Sequence, residues 1–513
     1  MPNNRKILMI IVDQLRADCV HGALADHVNL PNIAAFRQES VTFLNHFSVT
    51  NPCGPSRASI LTGRYAMNHR SIRNGTPLAD GMTNIALELR KSGYDPMLFG
   101  YTDTAHDPRN LHPNDPTLTT EEGVLPGFRE VLEMRYKESY PWRADLKAKG
   151  YDLPDYDDFY NPISPDPSRA SQANDPPFYK AEDSDSTFLT NELLKSLSVR
   201  TEQNWCALAT YIRPHPPLVA AEPYNKMYDP AALPLPERLA NVASQSAVHP
   251  FMAAAVNAPK MQNIVRGVGD KLDPENDADV QMLRSIYLGL ATEVDLHIGR
   301  IIQFLKDSGQ YDDTLVLLTA DHGEMLGDHH LWGKQNPYDP AYHIPLMIHD
   351  PQNPTQFGTV VEAMTESIDF TPTILDLIDQ PLPAGMDGRS LKPFLTGKTP
   401  TVWRDCVHME LDFSEPNQPT HWQNATDTGT RDANLAILRE ARFKLIHFNG
   451  ALPPLLFDLQ DDPHEMQNLA DDPAHMATLL RLTQKLLSHR MSHTDQTLTG
   501  IKITAEGAIG YAL

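Results

Sequence analysis

The stretch NPCGPSRASILTGRY, residues 51–65, sets Cys53 between Pro52 and Pro55 and follows it with Ser56 and Arg57. A free cysteine usually fills a small apolar core site, and this rigid, polar setting does not match that role. Two other clusters carry donor atoms. Asp13-Gln14 closes the apolar run Ile7–Val12, and Asp321-His322-Gly323-Glu324 closes the run TLVLLTA at 314–320. A carboxylate beside an oxygen or nitrogen donor is metal-ligand chemistry. An imidazole among oxygens favours Mn²⁺, Zn²⁺ or Fe²⁺ over Ca²⁺, with Mn²⁺ the first expectation. Asp and Asn also punctuate strand ends, so each pair alone is equivocal; together with the Cys53 loop they define a candidate site. His329 and His330 read as loop or supporting residues rather than ligands.

Bringing these residues together requires parallel strands whose carboxyl ends converge. Ile7–Val12 and Thr314–Ala320 are continuous apolar runs rich in branched side chains, as expected for central strands covered on both faces. NIAAFRQES and NIALELRKSG have helical spacing, the second ending at Gly93, and a long amphipathic segment from Ala278 to Gly309 leads into the second strand. This alternation predicts a doubly wound α/β fold. Residues 104–180, rich in Pro, Asp and Tyr, read as an insertion or lid, and 231–270 as a second, more helical insertion. The catalytic α/β domain is expected over 1–380. A smaller C-terminal α+β subdomain is expected over 381–513, with NLAILREARFKLIHF and PLLFDLQ as two alternating antiparallel strands and MATLLRLTQKLLSHRM as a helix.

The chain has 513 residues, 41% hydrophobic and 21% charged, which suits a globular protein with a sizeable core. With 43 Lys+Arg against 66 Asp+Glu the formal net charge is −23, which disfavours a nucleic-acid partner and demands a local positive pocket for any anionic substrate. Four cysteines make no disulfide framework. Arg5-Lys6 ahead of six apolar residues reads as a buried strand rather than a leader, and no run approaches the ~20 residues that span a bilayer. The expectation is a cytoplasmic protein that does not enter membranes.

CGPSR resembles the formylglycine signature Cys-x-Pro-Ser-Arg of the sulfatases in the alkaline phosphatase superfamily. The likeness continues through SRASILTGRY, VDQLRADCV, DHGEMLGDHHLWGK, HIPLMI, SIDFTPTILDLI and LFDLQDDPHEMQNLA, nearly the whole chain. It implies an alkaline-phosphatase-like fold. It also implies that a formylglycine-generating enzyme oxidises Cys53 to an aldehyde, whose hydrate attacks a bound ester and forms a covalent intermediate. The second hydroxyl then expels the phosphoryl or sulfuryl group, an exit that serine lacks. One divalent metal would be held by Asp13, Gln14, Cys53, Asp321 and His322. By the same resemblance Arg57 binds the diol or the substrate oxyanion, Lys334 the substrate oxygens, and His215 in RPHPP acts near the leaving oxygen. Asn74 in RNGTP is a polar pocket residue.

The pattern also departs from that family. Calcium sulfatases usually read Asp-Asp and Asp-Asn where this chain has Asp13-Gln14 and Asp321-His322. FGYTDT replaces the usual Gly-Lys-x-His segment, so Tyr101 takes the lysine position and Asp103 approximately that of the histidine. Losing two basic groups suits a substrate with one fewer charge, and the combination resembles the phosphonate monoester hydrolase branch. That implies hydrolysis of phosphonate monoesters and phosphodiesters, promiscuity towards sulfates and sulfonates, and a homotetramer. The alternatives are an aryl- or choline-sulfatase-like enzyme and, from another class, a noncatalytic metal-binding homologue.

Overall fold

The computed structural model describes residues 5–136, 139–200, 204–257 and 261–510. Its centre is an eight-stranded sheet of β1 (Lys6–Val12), β2 (Val41–Phe43), β3 (Pro96–Gly100), β4 (Arg129–Glu133), β5 (Cys206–Tyr211), β6 (Thr314–Ala320), β7 (Leu346–His349) and β8 (Val360–Val361). The spatial order is β4-β3-β5-β1-β6-β7-β2-β8. Every pairing is parallel except those of β7, which runs antiparallel to β6 and β2. The fold is therefore a mostly parallel, mixed α/β sheet.

Both apolar runs become fully buried neighbours, β1 and β6. In β1, Leu8, Ile10 and Val12 enter one core and Ile7, Met9 and Ile11 the other, the period-two alternation of a strand covered on both faces. The helix Asp277–Asp307 supplies Leu283, Ile286, Tyr287, Leu290 and Val294 to the first core. The helix Cys53–Thr62 supplies Ile60 and Leu61 to the second. Truncating one such strand side chain to alanine would cost about 2–5 kcal/mol.

Within 104–180 the chain contributes edge strand β4 and the helix Tyr140–Ala148. Three of the five β4 residues are exposed, and that weak apolar patterning hid the strand in the sequence. Residues 231–270 carry the short helices Val242–Ser246 and Pro250–Val256. A separate antiparallel sheet follows: β9 (Cys406–Asp412), β10 (Asn434–Glu440), β11 (Phe443–Phe448) and β12 (Leu455–Asp458), in sequential order. The run NLAILREARFKLIHF is thus two paired strands rather than one, and β9, buried almost throughout, has no alternation to signal it. The helix Met476–Ser492 packs Leu482 and Leu486 on this sheet against Leu438, Leu445 and Leu456.

Candidate active site and metal centre

Strand register assembles the site. Val12 lies level with Tyr211 on β5 and with Ala320 on β6, so Asp13 and Asp321 leave adjacent strand ends side by side. The chain then turns sharply. Gln14 has φ 67° and its N–H donates to Asp321 Oδ1 at 3.0 Å, while Tyr287 on the long helix donates to the Gln14 carbonyl at 2.7 Å. Cys53 opens a helix whose ten residues are all buried. Ser56 Oγ ties that helix to β6 by donating to the Asp321 carbonyl at 2.5 Å. Asn74 Oδ1 accepts from the Gly54 N–H at 3.0 Å, and a Cβ on Gly54 would lie 3.1 Å from the Asp103 carbonyl. Glycine suits that close approach. On β3, Gly100 has φ +117°, and a Cβ there would fall 2.1 Å from Thr210 Oγ1. The bare backbone lets Tyr101 N–H reach that hydroxyl at 2.8 Å, which aims the Tyr101 ring at the centre.

Asp13, Cys53, Asp321 and His322 offer donor atoms that all lie within 4.8 Å of one another, and all four residues are buried. Cys53 Sγ is 3.1 Å from His322 Nε2 and 3.8 Å from Asp13 Oδ1. His322 Nδ1 donates to the Gly323 carbonyl at 3.0 Å, which leaves the Nε2 lone pair facing the cluster. Burial drives the ring down to about 4, so it is neutral at physiological pH. Burial and the neighbouring Asp321 raise Asp13. For Asp321, burial opposes ionisation but His322 and Arg57 outweigh it, holding it at about 2. Two carboxylates, a correctly tautomerised imidazole and residue 53 around one buried point fit a transition-metal ion. Gln14 is turned elsewhere: its Nε2 donates to Glu324 and its Oε1 accepts from Lys334 at 2.8 Å.

Burial, with Asp13 the next cause, pushes the Cys53 thiol well above its ordinary value. Unmodified, it would be protonated at neutral pH and a poor nucleophile. Arg57 is spent on the centre: Nε donates to Asp321 at 3.0 Å, Nη2 to Asp13 at 3.1 Å and Nη1 to the Tyr101 carbonyl at 3.1 Å. Its guanidinium lies 4.1 Å over the Tyr101 ring, whose hydroxyl donates to Asp13. Lys334 Nζ donates to His215 Nε2 at 2.9 Å, and His215 Nδ1 donates to the Pro216 carbonyl at 2.5 Å. Burial and the ammonium of Lys334 keep this imidazole neutral. Burial lifts the Asp103 carboxyl to about 8, outweighing Arg57, with Glu122 and Asp13 adding to the rise. It therefore holds a proton at neutral pH.

Asn74 is exposed and anchors the helix start, and Lys334, His215, Tyr101, Arg57 and Asp103 surround the four-donor cluster. His329 stacks on Tyr338 at 3.6 Å and His330 donates to the Leu239 carbonyl at 2.8 Å; neither joins the cluster. Sequence reasoning left Ser56, Tyr287 and Glu324 without roles. Glu324 accepts from Gln14 and, at 2.6 Å, from the Gly333 N–H, so it holds both Gln14 and the Lys334 segment. Its place two residues after His322 was the available signal; Tyr287 carried none.

A carboxylate-tipped parallel sheet with a helix-opening Cys-x-Pro-Ser-Arg is the architecture of one known family. Residues 5–380 match the Sulfatase family, and residues 327–492 match N-sulphoglucosamine sulphohydrolase, C-terminal. The chain belongs to the sulfatase family and is an ester hydrolase with an alkaline-phosphatase-like fold. Among solved structures it is similar to the phosphonate monoester hydrolase of Silicibacter pomeroyi, with 55% identity, TM-score 0.96 and 99% of both chains covered. It is also similar to the phosphonate monoester hydrolase of Agrobacterium radiobacter, with 39% identity, TM-score 0.93 and coverage of 99% of this chain and 100% of the other. The multifunctional alkaline phosphatase superfamily protein PehA of Trinickia caryophylli is 39% identical over 98% of both chains.

Proposed function

We propose that this enzyme hydrolyses phosphonate monoesters and phosphodiesters, with activity extending to sulfate and sulfonate monoesters. The observation that carries this reading is the charge available to a ligand. Among the described residues at the centre, Arg57 is consumed by Asp13 and Asp321, which leaves Lys334 as the cation facing a substrate. Tyr101 and Asp103 are neutral at pH 7 where two basic groups would serve a dianion. One cation matches a singly charged ester. Sulfate monoesters carry that same single charge, so a sulfatase is the second reading. The names of the two similar solved structures favour the phosphonate.

The reading includes one divalent ion, Mn²⁺ first and Zn²⁺, Fe²⁺ or Ca²⁺ as alternatives. Asp13, Asp321, His322 and residue 53 would hold it; Gln14, expected among the ligands, instead has its side chain on Glu324 and Lys334. It also includes oxidation of Cys53 to formylglycine by a formylglycine-generating enzyme. When bound, the ion supplies Lewis-acid polarisation, and the hydrated aldehyde supplies a hydroxyl nucleophile with a second hydroxyl for releasing the ester. The chain's own residues do the rest. Arg57 balances the two carboxylates and fixes the phenol of Tyr101. Lys334 offsets charge growing on the substrate oxygens. Lys334 Nζ donates to His215 Nε2 at 2.9 Å, and this pair would supply the proton that a departing oxygen needs. Asp103 keeps its proton and so avoids repelling an anion.

We also infer a cytoplasmic homotetramer. The support is four buried free cysteines and an exposed apolar stripe on the helix Met476–Ser492: Met476, Leu480, Leu487 and Met491, each at least 54% exposed. The following hairpin, Ile501–Thr504 with Gly507–Gly510, has almost every residue exposed, and an isolated hairpin is marginal in water. Among the described residues no helix is long and apolar enough to cross a membrane. The deciding experiment compares kcat/KM for an aryl phosphonate monoester, an aryl phosphodiester and an aryl sulfate on one metal-loaded preparation. Sulfate turnover ahead by about 100-fold or more would overturn the proposal.

A further inference from the structure

At the mouth of the site the charge balance reverses. Tyr136 stands edge-on to His215 with ring centroids 5.9 Å apart, so it is next to the Lys334–His215 pair. Arg266 donates to the Tyr136 hydroxyl at 2.7 Å, and its guanidinium lies 5.6 Å from the Tyr136 ring centre and 5.8 Å from that of Tyr156. Arg143 lies 6.0 Å from the Tyr156 ring centre and 5.2 Å from that of Phe159. Among the described residues no carboxylate forms an ion pair with Arg143 or Arg266, in a protein of net charge −23. Two half-buried arginines therefore flank one tyrosine without an ion-pair partner among the described residues.

Arg143 and Tyr156 also line a cavity of about 1010 Å³ that includes Gly75 and Ala105. These two residues adjoin Asn74 and Asp103, which pack against Gly54 beside Cys53. The cavity is thus walled by the same segments that border the nucleophile position. Glu121 and Glu122 line the same cavity, and Glu122 accepts from the Tyr136 N–H at 2.9 Å. Arg266 spends donors on the Tyr136 hydroxyl and, at 3.5 Å, on the Asp157 carbonyl; a guanidinium has five N–H donors, so others remain for the oxygens of a planar carboxylate.

We propose that Arg143, Arg266 and Tyr156 form a subsite for a carboxylate carried by the alcohol or phenol that leaves during hydrolysis. This rests on the ester-hydrolase reading and narrows it: preferred substrates are singly charged phosphonate monoesters or phosphodiesters whose leaving group bears a second, carboxylate charge. Lys334 takes the reacting anion and the arginine pair takes the remote one.

The test compares the 4-carboxyphenyl and 4-carbamoylphenyl monoesters of methylphosphonate, which differ little except in charge. The holoenzyme should favour the carboxylate by about tenfold in kcat/KM at low salt. That preference should shrink as ionic strength rises, and it should fall to near unity in R143Q/R266Q. A wild-type ratio near one, with the amide ester turned over, overturns the subsite and leaves the proposed function standing. Binding of the products, 4-hydroxybenzoate against 4-hydroxybenzamide, is titrated in parallel and needs no turnover. If neither ester is hydrolysed the function is overturned, and the subsite still stands or falls on tighter binding of the benzoate. Equal binding overturns it, as does a preference that survives in R143Q/R266Q.

Discussion

The strand-tip centre and its mouth handle charge in opposite ways. At the centre, Arg57 is 1% exposed and donates to both Asp13 and Asp321, and the thiol, phenol and imidazole around it are neutral. At the mouth, Arg143 and Arg266 rest on tyrosine faces without a carboxylate partner among the described residues. A buried charge must be paired or it costs several kcal/mol, whereas a half-hydrated one can wait for its ligand. The difference teaches that the sheet sets the chemistry here, while the connecting segments set what is recognised.

The largest predicted effect breaks the centre outright. Cys53→Ala should lower kcat by about 10³-fold or more. In active protein the peptide containing residue 53 should weigh about 18 Da less than its thiol form, by mass spectrometry. Full turnover with an intact thiol would remove the nucleophile assigned here. Arg57→Ala should leave two facing carboxylates unbalanced and cost about 3–5 kcal/mol of stability. Mn²⁺ should recover part of that loss in a thermal melt, because the ion takes over the same charge; no recovery would argue against a cation site between Asp13 and Asp321.

Lys334→Ala should reduce kcat/KM by about 10²-fold, the scale of one lost transition-state donor. Its effect should be similar on carboxylate-bearing and neutral leaving groups, in contrast to changes at the mouth. Asp103 sharpens the comparison through pH. Its ordinary value is 3.8 and the fold raises it to about 8. Between those values the native state therefore keeps a proton that the unfolded chain has released. That contribution to stability declines as pH rises through the window. Asp103→Asn imitates the protonated form, so activity at pH 7 should change by no more than about threefold. A fall in kcat/KM near pH 8 should disappear in the variant; a limb that persists would assign it to another group. The smallest effect on catalysis belongs to Leu480→Glu with Leu487→Glu, which should lower the solution mass by light scattering while leaving kcat/KM for an aryl ester unchanged.

Much of the fold was legible because its signals are local. Ile7–Val12 and Thr314–Ala320 announce themselves as buried strands, and the parallel-sheet rule sends Asp13 and Asp321 to one edge. The Cys53 motif identifies its own family. Less legible was β4, whose exposed residues blur the alternation, and the turn near Ala441-Arg442 that divides one alternating run into β10 and β11. Arg57 was legible as a member of the motif but not in its contacts, because both of its carboxylate partners lie on other elements.

Residue types and short-range periodicity were enough to bring two carboxylate-tipped strands to one edge of an α/β sheet, and the resemblance carried by the Cys53 motif named the family. Only the tertiary structure decided that Arg57 would be consumed by Asp13 and Asp321, that Gln14 would turn to Glu324 and Lys334, and that Tyr136, Arg143, Tyr156 and Arg266 would gather beside His215. The physical reason is range. Strands and helices record their burial every two or four residues, whereas a charge's partners are chosen by packing between segments tens to hundreds of residues apart, and those contacts leave no periodic trace along the chain.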